Sequence, residues 1–297
     1  MRKLLTFLFA FLAGGAACWA QAAYDPVTSD PPVVDAQFPA QIATLSVGSG
    51  GVTINGRGLI AQGKGPHPTV LLLHGFPGNE LNLDIAQAMR RAGWNVFMFH
   101  YRGSWGSGGH YAIANVLDDT AAVLHHLRTK ADADWRIDPN RIVLVGHSVG
   151  GFAALNTAAS DAGVKSVASI AGLDVARVGE VIAGSETMRQ GMTSFVKSSG
   201  SINVPDAAAF VKEWTNTPSV WKFPSLASKL ASKQVLLVGG SKDTLAPMAN
   251  HYTPLLQALK AEMNSRVTEV VLDGDHAFSD KRIALTRAVL AWLQLQQ

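Results

Sequence analysis

The sequence predicts an α/β fold in which helices cover both faces of a mostly parallel central sheet. Short apolar runs of strand type alternate along the chain with stretches of helical period, the order typical of parallel sheets. The strand-like runs are apolar almost throughout, as expected for strands buried on both faces. With 47% hydrophobic and 16% charged residues in a chain of 297, a sizeable core can form.

Residues 1–22 have the pattern of a secretory signal peptide. Arg2 and Lys3 precede an apolar run over 4–13, and a small-residue cleavage site ends at Ala22. The apolar run is shorter than the ~20 residues that span a bilayer. We therefore expect an exported protein, periplasmic or secreted, without stable membrane insertion after cleavage. A lipoprotein anchor on Cys18 is the less favoured alternative.

Charge and cysteine content exclude several classes of function. Of the 25 Lys and Arg residues, Arg2 and Lys3 leave with the signal peptide, so the mature chain is nearly neutral against 22 Asp and Glu. No basic patch indicates nucleic acid. Cys18 is the sole cysteine, the histidines lack helical metal-ligand spacing, and there is no Walker loop or dinucleotide fingerprint. We expect neither a metal nor a cofactor.

The domain is predicted to span 41–297, after an extended lead-in over 23–40. Segments 41–47 and 52–62 predict an antiparallel hairpin at a sheet edge, the second strand bulged where Gly56 and Gly58 interrupt it. Further strands are predicted at 68–74, 95–101, 142–145, 164–171, 235–240 and 268–272. A helix is predicted after strand 68–74, capped by Asn79, with Glu80 in its first turn and Gly93 as its end. Further helices are predicted at 113–129, 152–160, 247–263 and 282–295.

One long segment, about 172–233, breaks this alternation because it contains no good strand. It carries methionine and aromatic residues among short helical stretches. An insertion of this length usually has a function or a structure of its own. We interpret it as a helical cap over the site, and a peripheral packing insertion is the alternative.

The motif Gly146-His147-Ser148-Val149-Gly150 lies between a buried strand and a small-residue helix. A Gly-x-Ser-x-Gly turn in this context holds its serine in a strained, exposed conformation. Ser148 is therefore the candidate nucleophile. The N–H of Val149 is a candidate oxyanion donor, since it lies at a helix N-terminus.

A base and an acid follow later strands. His276 lies in the turn after the last strand, where a histidine can take the proton of the nucleophile. Asp243 follows the preceding strand, and parallel strands bring their carboxyl ends to one edge. Asp174 is the second choice of acid, while Asp273 and Asp275 are too close to His276 in sequence to orient it.

A second oxyanion donor is predicted in the turn after the strand at 68–74. This turn reads His74-Gly-Phe-Pro-Gly78, and the N–H of Phe76 can face the nucleophile from it. The alternative is an ordinary Pro-Gly turn without a catalytic role.

The order Ser148, Asp243, His276 resembles that of the α/β-hydrolase superfamily, over about residues 40–297. The His-Gly-Phe-Pro-Gly, Tyr-Arg-Gly-x-x-Gly, Gly-His-Ser-Val-Gly-Gly and Asp-x-x-x-Pro motifs look like the dienelactone-hydrolase-like and prolyl-oligopeptidase-type branch. This resemblance implies a serine hydrolase with an α/β-hydrolase fold. The nucleophile here is serine, whereas dienelactone hydrolases proper use cysteine, and no β-propeller precedes the domain.

Two residues after the strand at 95–101 are candidates for substrate binding. Arg102 can bind a substrate carboxylate or form a salt bridge inside its loop. Trp105 and the aromatic residues of the cap suggest an apolar acyl or alcohol site, unless they only fill the core.

The expected function is an exported enzyme that cleaves a small-molecule ester or acyl substrate through an acyl-enzyme. An exopeptidase or amidase acting on short peptides or acyl-amides uses the same triad and is the main alternative. A non-catalytic binding protein on the same fold is the alternative from another class.

Overall fold

A computed structural model describes residues 24–129, 133–263 and 265–296. Its sheet has eight strands in the order β1-β2-β4-β3-β5-β6-β7-β8. The first two pairs, β1 with β2 and β2 with β4, are antiparallel, and all the others are parallel. The strands are β1 Gln41–Ser49, β2 Val52–Ile60, β3 His67–Leu73, β4 Asn95–Phe99, β5 Ile137–His147, β6 Ser166–Ile170, β7 Gln234–Gly240 and β8 Arg266–Leu272.

Helices cover both faces of this sheet, which confirms the predicted fold class. Alternate side chains of the central strands enter two separate cores, one against α1 and α9 and the other against α2, α3 and α8. This explains why the central strands are apolar at nearly every position. The helices are α1 Leu83–Arg91, α2 Ile113–Thr129, α3 Val149–Ser160, α4 Val175–Ala183, α5 Glu186–Ser198, α6 Ala207–Thr215, α7 Ala227–Leu230, α8 Tyr252–Ala261 and α9 Arg282–Gln294. The prediction that Asn79 caps the first helix is wrong, because α1 begins only after Asn82, whose left-handed φ of 55° does not continue a helix.

The predicted edge hairpin is present, but the predicted bulge in its second strand is wrong. The pairing of β1 with β2 is continuous from Gln41 opposite Ile60 to Ser49 opposite Val52. Gly56 and Gly58 instead leave room for residues of the neighbouring strand β4. A Cβ atom on Gly56 would lie 2.3 Å from the Met98 carbonyl oxygen, so a larger residue would push the two strands apart.

The segment between β6 and β7 is helical in the structure. It contains α4 to α7 and two short 3₁₀ turns, Ser219–Trp221 and Phe223–Leu226. Helices α5 and α6 place Phe195 and Phe210 against the ring of Phe76, so this segment packs on the loop after β3. We refer to 172–233 as the cap in this geometric sense.

The N-terminal lead-in packs against the α1 and α9 side of the domain. Arg91 donates to the carbonyl of Pro26, and Arg287 forms an ion pair with Asp25. The predicted signal peptide and the Cys18 anchor site lie outside the described residues. Within the described ranges, no helix combines the length and the apolarity needed to cross a membrane.

Candidate active site

Ser148 lies in the sharp turn between β5 and α3. Its backbone has φ 57° and ψ −121°, a region that a residue with a Cβ rarely adopts. The flanking glycines make the turn possible. A Cβ atom on Gly146 would lie 2.0 Å from the carbonyl oxygen of Gly150, and one on Gly150 would lie 2.1 Å from that of Leu73. The tight contact of strand and helix therefore holds the serine at the carboxyl edge of the sheet.

Two backbone segments flank this serine. Val149 is the first residue of α3, and the first N–H groups of a helix have no acceptor within the helix. On the other side runs the loop between β3 and α1, residues 74–82, which carries Phe76. A Cβ atom on Gly75 would lie 2.8 Å from Cβ and 3.3 Å from Oγ of Ser148. The structure thus brings both predicted donor segments next to the serine.

His276 and Asp243 are joined directly. Nδ1 of His276 lies 2.8 Å from Oδ2 of Asp243, and the other carboxylate oxygen accepts the N–H groups of Leu245 and Ala246. Burial raises the pKa of Asp243, but the hydrogen bonds from His276 and Ala246 outweigh it and leave the pKa below its ordinary value. The carboxylate stays ionised, so that Nδ1 carries the proton and Nε2 remains free to accept one.

The loop between β8 and α9, residues 273–281, holds His276 beside the serine turn. The ring of His147, the residue before Ser148, lies 4.8 Å from the ring of His276, and its Nε2 donates to the His276 carbonyl oxygen at 2.8 Å. Among the hydrogen bonds of the described residues, none joins the Ser148 hydroxyl to the His276 imidazole. Such bonds are often long in a free enzyme and shorten when substrate binds.

The other carboxylates near this edge have structural partners. Asp174 accepts the N–H of Arg177 at the start of α4 and that of Phe223 in the cap, at 3.1 and 2.9 Å. Burial raises the pKa of Asp174 above its ordinary value. Asp273 binds Lys242, and Asp275 closes a turn onto Ser279. Asp243 is the carboxylate that the structure places on His276.

Arg102 is bound to helix α2. Its Nε lies 2.6 Å from Oδ1 of the buried Asp119, and an Nη atom lies 3.2 Å from Asp118. A salt bridge was the alternative expected from the sequence, but within the loop and not to a helix. Because the guanidinium is occupied, we do not include Arg102 among the groups proposed to bind substrate.

Trp105 lies at the edge of the loop that carries Phe76. Its indole Nε1 donates to the carbonyl of Pro77 at 2.9 Å, and the residue is 46% exposed. The Phe76 ring lies against the rings of Tyr111, Phe210 and Trp214, which are buried, and that of Phe195, which is exposed. The surroundings of the Phe76 ring are thus aromatic.

The contact between the His147 ring and the loop of His276 was not predicted from the sequence, in which the serine and the valine were the residues of this motif assigned a role. Tyr111 was also missed, since a single tyrosine before a helix carries no distinctive signal. In the described parts of the chain, no group of three or more His, Cys, Asp or Glu residues could hold a metal ion.

Comparisons with known proteins identify the fold. A family model described as "Alpha/beta hydrolase family" matches residues 70–287. Uncharacterized protein YfhR of Escherichia coli (strain K12) is 36% identical over 84 residues, which cover 28% of this chain and 28% of that protein. The chain therefore matches less than a third of the length of this curated relative.

Two solved esterases have a similar fold at low sequence identity. Est1E from Butyrivibrio proteoclasticus is 17% identical with a TM-score of 0.63, over 86% of this chain and 98% of that one. Esterase Pf2001 from Pyrococcus furiosus is 18% identical with a TM-score of 0.60, over 89% of this chain and 98% of that one. At such identities the similarity shows the fold alone.

Proposed function

Since the chain belongs to the alpha/beta hydrolase family, we propose that it is a serine hydrolase that cleaves carboxylic esters through an acyl-enzyme. The predicted superfamily is thereby confirmed, whereas its dienelactone-hydrolase-like or prolyl-oligopeptidase-type branch stays a prediction. The observation that carries the proposal is the 2.8 Å hydrogen bond between Nδ1 of His276 and Oδ2 of Asp243, on loops beside the strained turn of Ser148.

Acylation begins when Oγ of Ser148 attacks the ester carbonyl carbon and Nε2 of His276 takes the hydroxyl proton. Asp243 keeps the second imidazole nitrogen protonated and stabilises the imidazolium. The tetrahedral intermediate then collapses, and the imidazolium gives its proton to the departing alkoxide, which leaves as an alcohol. Water repeats these steps on the acyl-enzyme and releases the carboxylic acid.

The negative charge on the former carbonyl oxygen requires two fixed donors. The N–H groups of Val149 and Phe76 are proposed for this role, since one begins a helix and the other belongs to the loop packed on Ser148. Backbone donors held by packing need no reorganisation during the reaction, and each is typically worth ~3 kcal/mol.

Ester substrates with apolar groups are favoured by two considerations. The rings around Phe76 present no charge, which suits an uncharged acyl or alcohol group. Two proteins of similar fold are named esterases. A peptide or amide substrate would use the same nucleophile, base and acid, and it is an outcome of the test below.

The test is active-site labelling with a fluorophosphonate, followed by peptide mapping. We expect one adduct, on Ser148, and no adduct in the folded Ser148→Ala variant. Turnover of 4-nitrophenyl esters should exceed that of aminoacyl anilides, and turnover of anilides alone would assign the amidase alternative. Unchanged ester turnover by Ser148→Ala would refute the serine mechanism. Absence of both label and turnover would favour the binding-protein alternative.

Export of the enzyme is a separate part of the proposal, supported by the pattern of residues 1–22. Expression of the full chain in a Gram-negative host should yield a periplasmic or secreted protein that begins at Ala23. A cytoplasmic protein that keeps Met1 would contradict export, and a lipid-modified Cys18 would replace it by a membrane anchor.

A further inference from the structure

The loop that carries His276 is held at two successive carbonyl groups, one by a side chain distant in sequence and the other by the first residue of α9. The His276 carbonyl accepts from Nε2 of His147 at 2.8 Å. The next carbonyl, that of Ala277, accepts from an Nη atom of Arg282 at 2.7 Å. One anchor therefore adjoins the nucleophile in sequence, and the other lies at the start of α9.

Arg282 also contacts the loop on the other side of the site. Its Nε and Nη atoms bind both carboxylate oxygens of Asp84 at 2.8 and 2.6 Å, and one Nη atom binds Oδ1 of the buried Asn82 at 3.0 Å. Asn82 ends the loop that begins at His74 and contains Phe76. A single guanidinium thus joins the loop of the base to the loop of the second oxyanion donor.

His147 makes its contact as a neutral ring. The side chain is buried, with the residue 4% exposed, and this burial lowers its pKa to about 4. Because Nε2 donates to a carbonyl, Nε2 carries the proton, and the buried Nδ1 has no hydrogen-bond partner within the described structure. A neutral ring next to His276 does not oppose formation of an imidazolium there, as a cation would.

We propose that His147 and Arg282 are positioning residues of the hydrolytic reaction: they bind the carbonyl groups of His276 and Ala277, and so fix the loop backbone that determines the distance of the His276 imidazole from Ser148. This inference rests on the proposed function. Within the described residues, the imidazole ring forms one hydrogen bond, to Asp243, so its distance from Ser148 also depends on where the loop backbone lies. A displacement of about 1 Å at a reacting group can cost 10²-fold in rate.

Substitution of His147 provides the first test. Glutamine can place an N–H donor where Nε2 of histidine lies, whereas leucine fills similar volume without a donor. We expect His147→Leu to lower kcat by about 10- to 100-fold with KM changed less than threefold, and His147→Gln to recover most of that loss. A purely structural role would lower the melting temperature of His147→Leu without this dependence on the donor.

Substitution of Arg282 provides the second test. A cleft of about 420 Å³, lined in part by Glu80, Asp84 and Arg282, opens at the guanidinium, so a small solute can enter the space that Arg282→Ala leaves. We expect Arg282→Ala to lose kcat and to regain part of it in millimolar guanidinium, well below denaturing concentrations. The matched control is Arg287→Ala on the same helix, whose arginine forms an ion pair with Asp25 of the N-terminal lead-in.

The outcomes separate this inference from the proposed function. Wild-type ester turnover that Ser148→Ala abolishes, combined with full kcat in folded His147→Leu and Arg282→Ala, overturns the positioning roles alone. Equal losses in His147→Leu and His147→Gln, with no guanidinium rescue of Arg282→Ala, overturn them as well. Turnover that survives Ser148→Ala refutes the proposed function before the question of positioning arises.

Discussion

Gly150 is packed so tightly against Leu73 that a Cβ atom on the glycine would lie 2.1 Å from the leucine carbonyl oxygen. Strand β3 and helix α3 therefore meet through bare backbone at the turn that carries Ser148. Any side chain here has to move β3, α3 or both, and the serine moves with them.

We predict that Gly150→Ala lowers the free energy of unfolding by about 1–3 kcal/mol or more, because overpacking against backbone has no flexible side chain to absorb it. Ester turnover should fall as well. The control is Gly191→Ala in α5, where no neighbouring atom lies within 4 Å of the new Cβ and alanine favours the helix. Urea unfolding of both variants checks the difference, and equal stabilities would contradict the packing argument.

The bond between Asp243 and His276 makes a second prediction. In Asp243→Asn the amide can occupy the same place, but it holds the imidazole in the wrong tautomer, so we expect kcat to fall by about 10⁴-fold with the fold retained. Asp174→Ala is the comparison, since Asp174 caps α4 and binds the cap at Phe223. It should cost about 1–2 kcal/mol of stability and little kcat. Kinetics and thermal melting check both variants. A large loss of kcat in Asp174→Ala, with only a loss of stability in Asp243→Asn, would make Asp174 the acid and Asp243 the structural carboxylate.

Much of the fold could be predicted from the sequence because its signals are local. The apolar run before Gly146 has to be buried on both faces. The glycines on either side of Ser148 indicate a turn in which strand and helix backbones are in close contact. The placement of Asp243 and His276 follows from the same rule, since parallel strands end at one edge of the sheet.

The remaining contacts could not be predicted because they join residues that are far apart in sequence. The bond from His147 to the His276 carbonyl spans 129 positions, and that from Arg282 to Asp84 spans 198. No local pattern distinguishes these residues from others on a strand or a helix. The prediction of a bulge in β2 was wrong for a related reason, since Gly56 is required by its close contact with the backbone of β4 and not by the conformation of its own strand.

Burial of three histidines predicts loss of stability in acid. Burial lowers the pKa of His74, of His147 and of His251 to about 4, from an ordinary value of 6.5. Below pH 6.5 the unfolded chain takes up protons that the folded chain does not. The contribution of these neutral rings to the free energy of unfolding is therefore fully present above pH 6.5. It declines as the pH falls toward 4, by about 1.4 kcal/mol per pH unit for each ring.

Urea unfolding at pH 7, 6 and 5 measures this slope. His74→Asn keeps a donor near the position of Nδ1, which contacts the Gly75 carbonyl at 2.7 Å, but it removes the titrating group. In this variant the slope of the free energy of unfolding against pH should be smaller by the contribution of one ring, whatever the stability at pH 7. An unchanged slope would show that His74 does not titrate with unfolding.

The ion pair of Arg102 predicts an effect on stability and not on substrate charge preference. In Arg102→Gln the carboxylate of Asp119, whose side chain is fully buried, loses its cation, which typically costs about 3–5 kcal/mol. The ratio of kcat/KM between neutral and anionic acyl esters should not change. Arg177→Gln, which breaks an exposed pair with Glu180, should cost at most about 1 kcal/mol. A selective loss with anionic esters would restore Arg102 as a substrate-binding residue.

The contact between Phe195 and Phe76 tests whether the cap borders the substrate site. Phe195 lies on α5 with its ring 5.8 Å from that of Phe76 and is 45% exposed, so Phe195→Ala removes apolar surface at the predicted oxyanion loop with little effect on the core. We expect kcat/KM to fall about tenfold for long or aromatic acyl esters and to change little for acetate, because acetate cannot reach the cap. Val220→Ala, at an exposed cap position outside these ring contacts, is the matched control. Equal effects on all esters, or none, would favour the alternative that 172–233 is a peripheral packing insertion.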